Sequence, residues 1–317
     1  MGKRRVRVVF CGTPKFAVPS LNQLLQVPEF EIVAVYTQPD RPRGRGQEIS
    51  FTPVKEVALA AKIPVQQPAK IRAPEVEAEL RGLKPNVIVI IAYGQIIPAR
   101  LLAIPHYGWI NLHASLLPKY RGAAPINWAI VRGESKTGNT TMRIDAGMDT
   151  GEILLQQELP IASDETAPEL QARLAEAGGP LMVETLLGIV SGTVVGRAQK
   201  DAEATMAPIL KREDGWIDWS LKADEIYNRM RGFAPWPGAF TQFRGQACHL
   251  RGIPVKEQSD EEPGTILSGG GKVRVICGQG SLLELQTVKL EGRKLVSAAE
   301  FANGARLQAA KEHFGKR

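Results

Sequence analysis

In the stretch Ile110–Ile130, INLHASLLPKYRGAAPINWAI, an amide and an imidazole stand on either side of Leu112. Residues two apart on a strand share a face. If WINLHAS is a strand, Asn111 and His113 therefore lie side by side while Leu112 enters the opposite layer. An amide N–H₂ and an imidazole aimed at one point can hold an oxyanion and move a proton. Two satisfied polar residues of a core would give the same pattern, but the Pro- and Gly-rich loop that follows favours a site. An imidazole also works best with a group that orients it. The segment DAGMDTGEI (145–153), after the strand TTMRI, offers Asp145 and Asp149 around two glycines that would let backbone approach a ligand. For Asp145, a turn in which the side chain binds its own backbone is the alternative.

The surrounding elements alternate between two periods. VRVVFCGT is a short β-branched run ended by Gly12. Thr13 and Pro14 then resemble the N-cap and first position of a helix over 14–26, which Pro19 should kink or shorten. EIVAVYTQ is a second strand, and Thr52-Pro53 repeats the helix opening. NVIVIIAYG is apolar on both faces, as a central parallel strand should be. Residues 164–188 read as one long helix interrupted at Gly178-Gly179-Pro180. Strands alternating with helices predict an α/β fold, a Rossmann-like, doubly wound, mostly parallel sheet. G-x-G-x-x-G is absent after the first strand, so that sheet does not imply a dinucleotide.

From Trp236 onward short strands follow at close spacing between glycines (AFTQFRG, ACHLRG, GTILS, KVRVICG, LLELQTVKL), with a helical AAEFANG after them. This is the grammar of a small C-terminal antiparallel β-barrel, OB-like. The expected organisation is an α/β domain over 1–193, a linker over 194–208 and the barrel over 209–317. Trp216, Trp219 and Trp236 read either as core anchors or as stacking platforms, and around the linker anchors are the expectation.

The chain has 317 residues, room for two domains, and a net charge of +7. Residues 209–317 carry 17 Lys and Arg against 13 Asp and Glu; the first 208 carry 23 against 20. The denser positive charge of the tail suits an anionic partner. The alternating Arg41, Arg43 and Arg45 of DRPRGRGQ read either as a solvated loop or as a grip on phosphates. Cys11, Cys248 and Cys277 are three widely spaced residues, a pattern of neither disulfides nor zinc. Free thiols suit a reducing cytoplasm, and the apolar run at the start is too short for a signal core. No segment approaches the ~20 apolar residues of a membrane span.

Asn111-x-His113, SLLP at Ser115–Pro118, YRGAAPI and DAGMDTGEI together resemble the folate-dependent formyltransferases. The resemblance spans nearly the whole chain. It implies that Asn111, His113 and Asp149 are catalytic, with 10-formyltetrahydrofolate as co-substrate and no metal. It implies that Ser115, Leu116, Leu117 and Pro118 line the folate site. FCGTPKFAVPSL, TQPDRPRGRG and FAPWPGAF resemble the branch whose acceptor is initiator methionyl-tRNA. For that branch the implied tRNA contacts are Arg45 above all, with Arg41 and Arg43, in a cytoplasmic protein expected to be a monomer. Ala234 departs from the usual Asn and Asn127 from the common Gln.

Overall fold

Val87–Ile91 reads VIVII, and all five residues are buried. A strand apolar on both faces is stable only where helices cover both sides of a sheet, and in the computed structural model it is the central strand of seven. The structure describes residues 5–43, 48–308 and 312–315, and of 42, 43, 48 and 49 the backbone alone. The first strands are β1 (Val6–Gly12), β2 (Phe30–Tyr36), the short antiparallel pair β3 (Arg41–Arg43) and β4 (Glu48–Ser50), and β5 (Val65–Gln66). They are followed by β6 (Val87–Ile91), β7 (Trp109–His113), β8 (Lys136–Arg143) and β9 (Ile153–Pro160). The large sheet runs β5-β2-β1-β6-β7-β8-β9. Its first five strands are parallel, and β8 and β9 complete one edge antiparallel.

The helices of this part are α1 (Val18–Gln26), α2 (Pro53–Ala60), α3 (Pro74–Leu83), α4 (Ala99–Leu102), α5 (Pro125–Val131) and α6 (Ala167–Ser191). Thr52 caps α2, its hydroxyl accepting the Lys55 N–H at 3.2 Å. The helix expected from Pro14 is divided: Lys15–Ala17 form a 3₁₀ turn and α1 begins at Val18. Pro19 thus falls in the first turn, where its missing N–H leaves nothing unpaired. The interruption expected at Gly178-Gly179-Pro180 does not occur, and α6 is continuous through it. The glycines are close-packing positions instead. Gly178 lies directly on Leu112, and a Cβ at Gly179 would stand 2.8 Å from Cγ of Gln23 and 3.2 Å from the Pro19 carbonyl oxygen. That packing holds the helix although Pro180 leaves one carbonyl of the ladder without its N–H. By length and hydropathy α6 is the one helix among the described residues that could cross a membrane, but more than half of its most apolar window is buried within the protein.

The second group of elements is α7 (Ala223–Gly232), β10 (Phe240–Phe243), β11 (Gln246–Gln258), β12 (Thr265–Gly269), β13 (Lys272–Ile276), β14 (Ser281–Leu290), β15 (Val296–Ser297), α8 (Ala298–Ala305) and β16 (Glu312–His313). Its antiparallel sheet runs β10-β11-β14-β13-β12-β16. The ring nearly closes where Phe243 bridges to Phe314 and the Gly315 N–H reaches the Gln242 carbonyl at 2.7 Å. Trp219 stacks on Phe314 inside it with centroids 5.4 Å apart, a contact worth about 0.5–1.5 kcal/mol beyond area burial. Trp216 meets Phe240 edge-on. Trp236, expected to be an anchor, is 55% exposed.

The chain forms two compact units that interleave in sequence. The first comprises Met1–Pro125, Lys136–Pro160 and Gln171–Ala207; the second comprises Ile126–Ser135, Ile161–Leu170 and Pro208–Arg317. In the second unit Asn127 of α5 donates its amide to the Gly232 carbonyl at 2.7 Å, and Trp128 packs edge-on against Phe233. Of the expected linker over 194–208, residues 194–207 pack with the first unit because their backbone is hydrogen-bonded to it. Arg197 and Ile153 exchange both bonds at 2.9 Å, Thr205 O accepts from Arg121 at 2.8 Å, and Ala207 donates to Arg121 O at 2.7 Å.

Candidate active site

Strand β7 ends at the carboxyl edge of the parallel strands, where open α/β sheets bind ligands. Its register places Asn111 opposite Met142 and His113 opposite Thr140 on β8. Leu112 turns to α6, so Asn111 and His113 project from the other face. His113 is buried, and its Nε2 lies 2.9 Å from the Tyr120 carbonyl oxygen. A carbonyl only accepts, so Nε2 carries the hydrogen and Nδ1 is left as the ring's basic position. Nδ1 faces Oδ2 of Asp149 at 3.6 Å. That is too long for a hydrogen bond, but an imidazolium formed at Nδ1 would gain an ion pair in a partly dry setting, with side-chain exposures of 7% and 20%. The Asn111 amide, half-buried, has no hydrogen-bond partner among the described residues. It is the donor left free beside the ring.

Asp149 occupies the left-handed region at φ 54°, which a non-glycine residue holds only when its surroundings fix it. The Gly122 N–H binds its Oδ2 at 2.9 Å. Gly122 itself needs its missing side chain: φ is +119°, and a Cβ would lie 2.7 Å from the Ala207 carbonyl oxygen. Asp145 takes the turn reading. Its carboxylate accepts from the Gly147 N–H at 3.0 Å and from the Thr150 hydroxyl at 2.8 Å, organising the loop from its exposed side.

The SLLP loop is tied to β8 and β9. The Thr140 hydroxyl donates to Ser115 O at 2.6 Å and accepts the Leu117 N–H at 3.1 Å. Gln156 donates to Leu117 O and to the Thr140 hydroxyl, both at 2.9 Å. Ser115 and Leu117 are buried, and the Ser115 hydroxyl is bound to Lys119 O at 2.7 Å. They shape the loop, while half-buried Leu116 and Pro118 are its accessible members. Arg41 is exposed at the start of β3. Arg43 is described by its backbone alone, and Arg45 lies outside the described residues. Among the described residues no group of three or more His, Cys, Asp or Glu is placed to hold a metal ion.

Comparisons with known proteins give the family. Residues 4–186 match the formyl transferase family and residues 209–306 match the formyl transferase C-terminal domain. The chain belongs to the formyl transferase family. This formyltransferase is 52% identical over 301 residues to the methionyl-tRNA formyltransferase of Acidobacterium capsulatum, spanning 94% of this chain and 96% of the relative. It is 52% identical to that of Solibacter usitatus, over 95% and 96% of the two chains. Among solved structures, WlaRD, a sugar 3N-formyl transferase crystallised with dTDP and 5-N-formyl-THF, superposes with a TM-score of 0.65 at 17% identity, over 92% of this chain and all of that one. The N-formyltransferase of Helicobacter canadensis, in complex with folinic acid and dTDP-3-aminofucose, gives 0.64 at 19% identity, over 88% and 98%. These two share the fold.

Sequence reasoning missed Thr140, Gln156 and Gln199 altogether. Thr140 and Gln156 sit at ordinary strand positions, and Gln199 lies in an aperiodic stretch; nothing local marks them. Arg121 and Gly122 lie inside the YRGAAPI motif, which was their only signal.

Proposed function

We propose that this formyltransferase moves the formyl group of 10-formyltetrahydrofolate to the amino group of initiator methionyl-tRNA. The observation that carries the chemistry is the Asn111 amide, without a hydrogen-bond partner among the described residues, on the same face of β7 as His113, whose ring meets Asp149. The folate co-substrate supplies an activated one-carbon unit, so the protein's task is position and electrostatics. Asn111 donates to the formyl oxygen as that atom gains charge during attack by the neutral amine. His113 takes the amine proton at Nδ1, with Asp149 stabilising the imidazolium, and returns it to the departing nitrogen. Because Nε2–H is already bound to Tyr120, His113 acts through charge and proton transfer, and the oxyanion contact falls to Asn111. Leu116 and Pro118 offer the apolar wall on which a folate ring system would lie.

The acceptor is assigned from the 52% identical relatives and from charge. Arg41, Arg43 and Arg45, and the cations of the barrel such as the exposed Arg293 and Lys294, suit the phosphates of tRNA. Affinity carried by phosphate contacts falls as salt rises. The substrate and the three buried free thiols both suit the cytoplasm. The test is an assay with 10-formyltetrahydrofolate and four acceptors: charged initiator tRNA, charged elongator tRNA, free methionine and a 3-amino sugar nucleotide. Charged initiator tRNA should give the highest kcat/KM, in a salt-dependent manner. Faster turnover of the sugar nucleotide would overturn the assignment.

A further inference from the structure

We infer that Gln199, gripped by Arg121, is a positioning residue for formyl transfer: it fixes the loop that carries Asp149 and so sets the distance between Asp149 and His113. The inference rests on the roles given to those two residues above. Gln199 Oε1 accepts from Arg121 Nε at 3.0 Å and from Nη2 at 2.9 Å. Its Nε2 donates to the Asp149 carbonyl at 2.8 Å and to the Gly151 carbonyl at 2.7 Å. The amide can stand only this way round, since a guanidinium only donates and a backbone carbonyl only accepts. Both N–H groups and the oxygen are engaged.

The anchor behind Gln199 is rigid. The Arg121 side chain is 8% exposed and its Nη2 also pairs with Asp201 at 2.8 Å. Its backbone N–H and carbonyl are both bonded to one segment, at Thr205 and Ala207. What Gln199 holds is the strained part of the site. Among the described residues Asp149, at φ 54°, accepts two hydrogen bonds, from Gly122 on its carboxylate and from Gln199 on its carbonyl. The two carbonyls that Gln199 binds belong to the Asp149–Thr150 and Gly151–Glu152 peptides, so the segment from Asp149 to Gly151 is held at both ends by these bonds. Without them, Asp149 is free to relax toward the ordinary extended or right-handed regions and swing its carboxylate off Nδ1. Asp145 cannot compensate, because among the described residues it ties Gly147 and the Thr150 hydroxyl alone. A neutral amide also carries the restraint without adding a charge beside Asp149.

The test uses the full-length protein with 10-formyltetrahydrofolate and charged initiator tRNA. Gln199→Met keeps length and removes every hydrogen bond. It should lower kcat by roughly 10–10²-fold, the scale of a misplaced catalytic group, with both KM values within about twofold of wild type. In the Asp149→Ala background the same substitution should change kcat by less than about twofold, because groups acting through one another are not additive. Gln199→Glu keeps the grip on Arg121 but turns a carboxylate oxygen on the Asp149 and Gly151 carbonyls and so releases them. It should lower kcat at least as much, again non-additively with Asp149→Ala, and it decides the matter if Gln199→Met does not fold. An unchanged kcat, a KM effect alone, or an equal loss in the Asp149→Ala background overturns the inference. If Asp149→Ala by itself keeps wild-type kcat, the catalytic reading fails. If Asp149→Ala is inactive and the Gln199 variants turn over normally, only the inference fails.

Discussion

Asn111 and His113 stand on a strand, and Asp149 stands on a loop. The strand pair is placed by period and register alone: β7 lies between β6 and β8, and alternation aims both side chains to one face. The loop residue has no such frame. It is held in a left-handed conformation by a glycine N–H from the YRGAAPI loop and by a glutamine from residues 194–207. Strand-borne groups inherit rigidity from the sheet, while loop-borne groups borrow it from distant chain. Two kinds of fragility follow. A strand residue is lost by changing that residue, whereas the loop residue is also lost by changing what surrounds it.

The largest effects are expected on the strand side. Asn111→Ala should lower kcat by roughly 10²–10³-fold, the usual loss of one oxyanion donor, with folate affinity retained. Steady-state kinetics with direct folate binding would check it, and a KM effect without a kcat loss would make Asn111 a binding residue only. Next comes the loop side. Gly122→Ala forces a Cβ toward Ala207 O at a φ unsuited to alanine. It should destabilise the protein by about 1–3 kcal/mol and also slow turnover, because the N–H on Asp149 moves. Chemical denaturation paired with kinetics separates the two, and intact kcat in a folded variant would break the claim that the loop depends on its support. The smallest effect on turnover is a control at a helix cap outside the catalytic set. Thr52→Ala removes the cap of α2 and should cost about 1–2 kcal/mol of stability with kcat unchanged.

The same contrast explains what the sequence disclosed. The side-by-side placement of Asn111 and His113 followed from spacing, and the central position of β6 from its two-sided apolar run, because both are properties of a local period. The barrel was legible from its glycine-spaced strands. The continuity of α6 through Gly178-Gly179-Pro180 was not, since local propensity predicts a break and only contact with Leu112 and α1 reverses it. Nor was the role of residues 194–207: their bonds run to Arg121, Asp149 and Ile153, far away in sequence, and leave no periodic trace. Trp236 was misread because a Trp beside a Pro-rich turn has the composition of an anchor whichever way its ring faces.

The central claim is that His113 and Asp149 work as one unit, and a single-turnover measurement tests it most directly. The rate of formyl transfer from bound 10-formyltetrahydrofolate to charged initiator tRNA would be compared in wild type, His113→Ala, Asp149→Asn and the double variant. Each single substitution should slow the step by roughly 10²-fold or more, and the double variant should be about as slow as the slower single. Losses that multiply in the double variant, or a His113→Ala rate near wild type, would contradict the account.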